Sequence, residues 1–239
     1  MKLFAFLTWV VLVWQANFRP GCEAQSRVMG GIPAQPGEFP HLVVLMSGRN
    51  TMICSGSIIS ENWVLTAAHC LALNIPTTTY ILAGTTSYRE GQKYQVQKRI
   101  IHEKYNPRLL TSDIALIRVA KPFQFSRLIN KISVNPREFS SGEIAEIVGF
   151  GINDSGYSGV LYKVDVKVSH CLEQRPAYIC TFSVDGGSCN GDSGGPLQHN
   201  NSIIGITSHG IDPCANGVTP DVFTRVSRYF QWIEQNTKY

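Results

Sequence analysis

Beyond its first two dozen residues the chain has no long apolar run. It also has no C-x-x-C pair, no Lys/Arg tract and no low-complexity segment. The first absence excludes a helical membrane span, which takes roughly 20 residues. The second, with no His pair at metal-ligand spacing, argues against a structural zinc site. The third removes the usual footprint of a nucleic-acid partner. Charged residues make up only 16% of the chain and the net charge is +4, so the disordered class is excluded. Its 21 glycines show no period of three, which excludes collagen. What remains is a globular chain of 239 residues, 44% hydrophobic, long enough for one large core or two smaller ones.

The apolar exception is Leu3 to Trp14, preceded by Lys2 and followed by Gln15 and the Arg19-Pro20-Gly21 break. That is the length of a signal-peptide core and too short for a bilayer. Small residues at Cys22 and Ala24 place the expected cleavage after Ala24, so residues 1–24 read as a signal peptide of a secreted, extracellular protein. Removing Cys22 leaves six cysteines, Cys54, Cys70, Cys171, Cys180, Cys189 and Cys214, an even number in an oxidising compartment. Sequence alone does not choose among their pairings.

From residue 28 onward, short apolar runs are separated by turn residues. They include His41–Met46, Trp63–Leu65, Tyr80–Leu82, Tyr94–Val96, Ile114–Val119, Ile144–Val148, Leu161–Val168 and Ile203–Ile206. Period-two alternation and β-branched residues predict strands, and clusters such as Pro33–Pro40 and Asp185–Gly195 predict turns. The expectation is an all-β sandwich or barrel. Only Val226–Gln235, apolar at 226, 230 and 233, suits a helix.

Three segments carry chemistry. Gly191-Asp192-Ser193-Gly194-Gly195-Pro196 sets a serine between glycines that permit tight backbone turns. A serine hydroxyl needs a base to take its proton and N–H donors where an oxyanion forms. Thr66-Ala67-Ala68-His69-Cys70 offers the base, since an imidazole exchanges protons near neutral pH. Ser112-Asp113-Ile114-Ala115-Leu116 offers a carboxylate that could orient it. Spacing does not show that His69, Asp113 and Ser193 meet.

These motifs, in this order from Val28 to the C-terminal helix, make the chain similar to the chymotrypsin-like (trypsin-like) serine proteases. The resemblance implies two six-stranded antiparallel β-barrels with the site between them. It implies Ser193 as nucleophile, His69 as general base and Asp113 as its orienting acid, with oxyanion N–H groups from Gly191 and Ser193. It implies the disulfides Cys54–Cys70, Cys171–Cys180 and Cys189–Cys214. Ala145 and His199 stand where a further family bridge would lie. The three-bridge set is similar to that of invertebrate digestive and venom-type members. Arg27-Val28-Met29-Gly30-Gly31 resembles an activation site: residues 25–27 would form a propeptide and 28–239 the protease domain, with no added regulatory domain. Cleavage after Arg27 would free the Val28 ammonium to pair with Asp192.

By the same resemblance Gly187, six residues before Ser193, forms the base of the specificity pocket, beside Ser188. Ser208-His209-Gly210 forms its wall, with Gly210 leaving it open. Asp221, found by counting back from Val222-Phe223-Thr224-Arg225-Val226, takes the remaining pocket position, where a carboxylate can pair with a substrate Arg or Lys. Gly187 with Asp221 is similar to crab collagenase-type proteases, which implies cleavage after both basic and large apolar residues. His209 and Phe150 each replace a usual Trp. Thr85 stands where calcium-binding trypsins carry Glu, so no calcium, other metal or cofactor is expected. Asn153-Asp154-Ser155 and Asn200-Asn201-Ser202 are glycosylation sequons.

The expected partners are protein or peptide substrates, an activating protease and protein protease inhibitors, acting on a monomer. The mature net charge of +2 favours protein surfaces over polyanions. A competing reading is a non-catalytic protease homologue acting as a binding protein, but all three triad residue types are present. An α/β-hydrolase would also fit G-x-S-x-G, yet the order His69, Asp113, Ser193 is the chymotrypsin order and helix-period segments are missing.

Overall fold

A computed structural model describes residues 31–72, 78–153, 156–157, 159–172, 175–182, 186–210 and 219–238. The signal peptide, Arg27, Val28, Cys214 and the Asn153 side chain lie outside this description. Among the described residues no helix is long and apolar enough to cross a membrane.

Twelve strands close two antiparallel barrels. The first uses β1 (Leu42–Ser47), β2 (Met52–Ile58), β3 (Trp63–Thr66), β4 (Thr78–Ala83), β5 (Gln92–Ile101) and β6 (Ala115–Val119), in the closed order β1-β2-β3-β6-β5-β4. The second uses β7 (Ile144–Gly149), β8 (Tyr162–Ser169), β9 (Tyr178–Phe182), β10 (Pro196–His199), β11 (Ser202–His209) and β12 (Asp221–Arg225). Its order is β7-β8-β9-β12-β11-β10, closed by the pairing of β8 with β7 and of β10 with β7. Short strands at Ile32–Pro33 and Ser133–Val134 add to its edges.

All six residues of β1 are buried. Val43 and Leu45 point into the first barrel, while Leu42, Val44 and Met46 pack against Val148, Phe150 and Leu161 at the seam with the second. Alternation is kept, but both faces find apolar partners, so the sequence reads as a continuous run. Ile203 and Ile206 of β11 join the first core, whereas Ile204 joins the second core around Ile147, Val166, Leu197 and Phe223. Each such aliphatic side chain contributes roughly 1.5–3 kcal/mol when taken from water.

The C-terminal segment turns first as a 3-10 helix, Val226–Tyr229, then as α-helix Phe230–Thr237. Ile233 is the buried side chain that ties it to the first barrel's core. Trp232 lies over His102, with ring centroids 4.9 Å apart, and donates from Nε1 to Glu103. The chain's end thus crosses from the second barrel back onto the first.

Candidate active site

Asp113 sits just before β6 and is fully buried. The turn that aims it uses Leu110 and Ser112 in left-handed backbone, φ 50° and 51°, and the Ile114 amide donates to Ser112 O at 2.9 Å. Non-glycine residues adopt this conformation at a cost, and it clusters at sites held by their surroundings. His69 opens a one-turn helix, His69–Ala72, after β3. Its backbone amide donates to Asp113 Oδ1 at 2.8 Å, and its ring Nδ1 lies 2.8 Å from Oδ2. A carboxylate partner at that distance selects the Nδ1–H tautomer, which leaves a lone pair on Nε2, 3.6 Å from the Cys70 disulfide sulfur, to accept a proton. From the second barrel, Ser208 Oγ donates to Asp113 Oδ2 at 2.6 Å and Thr224 Oγ1 to the Asp113 carbonyl at 2.8 Å. The aspartate is therefore a buried carboxyl group clamped by both barrels, and these bonds are what make its burial tolerable.

Ser193 occupies the turn between Gly191 (φ 106°) and Gly194 (φ 78°). Its carbonyl accepts from the Ser55 amide of β2 at 2.8 Å, and Ser55 Oγ donates to Gly191 O at 3.3 Å. A Cβ on Gly194 would lie 2.2 Å from Thr66 Oγ1 and 2.6 Å from Ser55 O. The serine turn is thus pressed against the strand that leads into His69. Ser55 follows Cys54, and the Cys54–Cys70 disulfide ties β2 to the residue after His69. Serine, histidine and aspartate segments therefore converge at one point of the seam.

Asp192 is fully buried. Its Oδ1 accepts from the Gly151 amide at 2.8 Å and its Oδ2 from the Cys189 amide at 2.9 Å. A side chain on Gly149 or Gly151 would collide with this carboxylate, at 1.9 and 2.3 Å. Burial dominates over the two amides and pushes its pKa up to about 7.

The Asp221 carboxylate, at the start of β12, accepts from the Ser188 amide at 2.7 Å. Its other oxygen is 3.1 Å from where a Gly210 side chain would begin. Gly187 and Ser188 are buried beside it. Burial raises the Asp221 pKa, and bonds from Ser188 work against that. The structure thus brings Ser188, Gly210 and Asp221 to one place, with Gly187 and Ser208 one and two residues away along the chain.

Cys171–Cys180 is the second disulfide formed, and Cys189 is also disulfide-bonded, while Cys214 lies outside the described residues. Cys54, His69 and Cys70 sit close enough to suggest a metal site. A disulfide has no thiolate to offer, so these three do not make one.

The sequence assigns Ser208 only to a pocket wall and gives Ser55, Thr66 and Thr224 no role. All four hydroxyls hold the site from strands, where serine and threonine carry no distinguishing local signal. Only the pairing of distant strands reveals them.

A two-barrel all-β fold with these segments at its seam defines the chymotrypsin-like class of serine endopeptidases. The Trypsin family model matches residues 28–233, and the chain belongs to that family. It is 34% identical to Brachyurin of Leptuca pugilator, covering 88% of this chain and 98% of that protein. It is also 34% identical to Lectizyme of Glossina austeni, covering 99% and 97%. Neuropsin, a serine protease expressed in the limbic system of mouse brain, is similar in structure, with a TM-score of 0.80 at 28% identity over 87% of this chain and 99% of that one.

Proposed function

We propose that the chain is a secreted serine endopeptidase made as a zymogen, with residues 1–24 removed on secretion and residues 25–27 on activation. Cleavage after Arg27 frees the Val28 ammonium, which pairs with Asp192. The support is that carboxylate's isolation: it is fully buried, with amides around it and a pKa pushed up to about 7. A buried carboxylate of this kind is stabilised strongly by a cation.

In the processed enzyme Ser193 Oγ attacks the scissile carbonyl carbon while His69 Nε2 takes its proton. Asp113 holds the His69 ring and stabilises the imidazolium. The Gly191 and Ser193 amides donate to the oxyanion. His69 then gives the proton to the leaving amine, and water hydrolyses the acyl-enzyme by the same route. The observation that carries this reading is the Asp113 carboxylate, which holds His69 by both ring and backbone and is itself held by Ser208 from the opposite barrel.

The specificity is for both Arg/Lys and Leu/Phe/Tyr before the scissile bond. Gly187 leaves room for a large side chain, and Asp221, turned against Ser188 and Gly210, supplies the negative charge. The test is a peptide-library profile of the form processed after Arg27, beside Ser193→Ala. Mixed basic and apolar cleavage is expected. Cleavage of one class alone overturns the pocket assignment, and no cleavage with Val28 exposed favours a binding protein in a protease fold.

A further inference from the structure

β11 does not end as a regular strand. Thr207 pairs with Phe223 while His209 pairs with Val222, so Ser208 is an extra residue, a bulge. Bulges re-aim side chains and concentrate near active sites. In a regular strand Ser208 and His209 would face opposite sides. Here the Ser208 Oγ lies 3.1 Å from His209 Nδ1 and 2.6 Å from Asp113 Oδ2. A continuous hydrogen-bonded path therefore runs from the His69 ring through Asp113 and Ser208 to a second imidazole.

That second ring is half-buried. It borders a cavity of about 120 Å³ with Leu172, Tyr178, Gly210 and Val222. The Tyr178 ring meets it edge-on, with centroids 5.8 Å apart. Tyr178 is itself pinned, its hydroxyl donating to Leu109 O at 3.2 Å. Among the described residues, the titratable and charged groups facing His209 include Asp113 and His69 by way of Ser208, the Tyr178 phenol with the Arg175 guanidinium 5.6 Å from its ring centroid, and Asp221 across Gly210.

We propose that His209 is a positioning residue for the Asp113–His69 pair, acting through the Ser208 hydroxyl, an inference that rests on the protease reading above. Ser208 has one proton. With that proton on Asp113, the Ser208 oxygen accepts from His209 Nδ1–H. Such a donor polarises the hydroxyl and strengthens its bond to Asp113. A better-bonded Asp113 stabilises the His69 imidazolium less, so His69 ionises at lower pH. Protonating His209 makes Nδ1 an obligatory donor and pushes in the same direction. The coupling is reciprocal, so the two imidazoles titrate as a pair and the acid limb of activity is broader than one ionisation.

The test reads the rate of Ser193 sulfonylation by phenylmethylsulfonyl fluoride between about pH 4.5 and 9, on the form processed after Arg27. This probe has no peptide chain to reach the cavity beside His209. Wild type, His209→Phe and His209→Asn are compared. Phenylalanine keeps the contact with Tyr178 but removes the donor. Asparagine places an N–H near Nδ1 without a titratable ring. The expected result is an acid limb shifted up by about 0.5 pH unit in His209→Phe, which is about threefold slower labelling at pH 6. His209→Asn is expected to return the midpoint to the wild-type value, and both variants to follow a single ionisation. Three superimposable profiles overturn the proposal. So does a wild-type midpoint in His209→Phe with a shift in His209→Asn, which would assign His209 to ring packing alone, and so do equal shifts in both, which would show that the donor at Nδ1 does not carry the effect. Absence of labelling at every pH in wild type would instead overturn the protease reading.

Discussion

Counted from its own first strand, each barrel closes in the order one-two-three-six-five-four. The repeat is one of topology and not of chemistry. The first barrel's interior is built on Val43, Leu45, Ile58, Val64, Leu65, Ile81, Leu116 and Ile117, all buried. It delivers His69 and Asp113 from the ends of β3 and β6. The second has a smaller apolar core and carries the fully buried Asp192 and the half-buried Asp221 beside it, where the first carries the fully buried Asp113. Charge divides the same way. Residues 28–134 hold eleven basic and five acidic side chains, a net of +6, and residues 135–239 hold seven and eleven, a net of −4. Both barrels bury polar groups. On the proposed function, one mounts the base and its aspartate, and the loops of the other form the nucleophile turn and the pocket. Neither holds a complete site, so whatever separates the barrels should abolish activity before it unfolds either.

The sharpest way to break that comparison is at Gly194, where the barrels touch. Gly194→Ala puts a methyl group into Thr66 and Ser55 and asks alanine to adopt φ 78°. We expect sulfonylation of Ser193 to fall by three orders of magnitude or more, since a displacement of about 1 Å alone costs on the order of 100-fold. Gly142→Ala is the matched control in the second barrel. It too has positive φ, 99°, but its nearest neighbour is the end of Lys167 at 3.9 Å. It should cost about 1–2 kcal/mol in stability and leave labelling intact. Equal effects of the two would show that backbone strain, not docking of the barrels, is what matters at Gly194.

The next test concerns the second barrel's tolerance for buried acid. The Asp192 pKa, about 7 in the folded chain, lies above the ordinary Asp value. Folding therefore favours its protonated form. The resulting stability is fully present below about pH 4 and is lost as pH rises through about 7. The unprocessed chain should lose a few kcal/mol between pH 5 and 8 by denaturant unfolding, relative to Asp192→Asn measured alongside. Processing after Arg27 should erase that difference, because an ammonium at Asp192 reverses the sign of the shift. Identical pH dependence in wild type and Asp192→Asn would refute it.

What could be read from sequence did not divide by barrel. Leu42–Ser47 and Ala115–Val119 of the first, and Ile144–Gly149 and Tyr162–Ser169 of the second, were anticipated to within a residue or two. β2 was not, because Cys54-Ser55-Gly56-Ser57 looks like a turn, and these small residues are there to let the serine turn approach. β10 begins with Pro196 and β12 with Asp221, two residues that read as strand breakers. β5 was seen only at Tyr94–Val96. Its outer half is exposed and basic, and a register shift between Val96 and Lys98 interrupts the alternation. On the proposed function, the site was legible wherever chemistry demands a contiguous string, at His69, Asp113 and Ser193. It was illegible where the contact crosses the seam, at Ser55, Thr66 and Thr224.

The smallest expected effect sharpens what holds the seam together. Its apolar side is Phe39, Leu42, Val44, Leu82, Val148, Phe150 and Leu161. Its ionic side includes Lys163 of β8 paired with Glu38, which precedes β1. Each of those two side chains keeps about a quarter of its surface in water, 25% and 28%. Exposed pairs of this kind contribute about 0–1 kcal/mol, and salt screens them further. The wider opposition of a basic and an acidic barrel acts over longer distances still, where screening at physiological salt is nearly complete. Lys163→Met keeps the apolar stem and removes the ammonium, which pairs with Glu38 and lies 5.7 Å from the Phe39 ring centroid. We expect a change of about 0.5 kcal/mol or less in unfolding free energy, no change in labelling rate, and a melting temperature that is flat between 0.1 and 1 M salt. A loss of 2 kcal/mol or more, or a fall in melting temperature with salt, would mean that the charges of the two barrels, rather than the apolar seam, dock the base against the nucleophile.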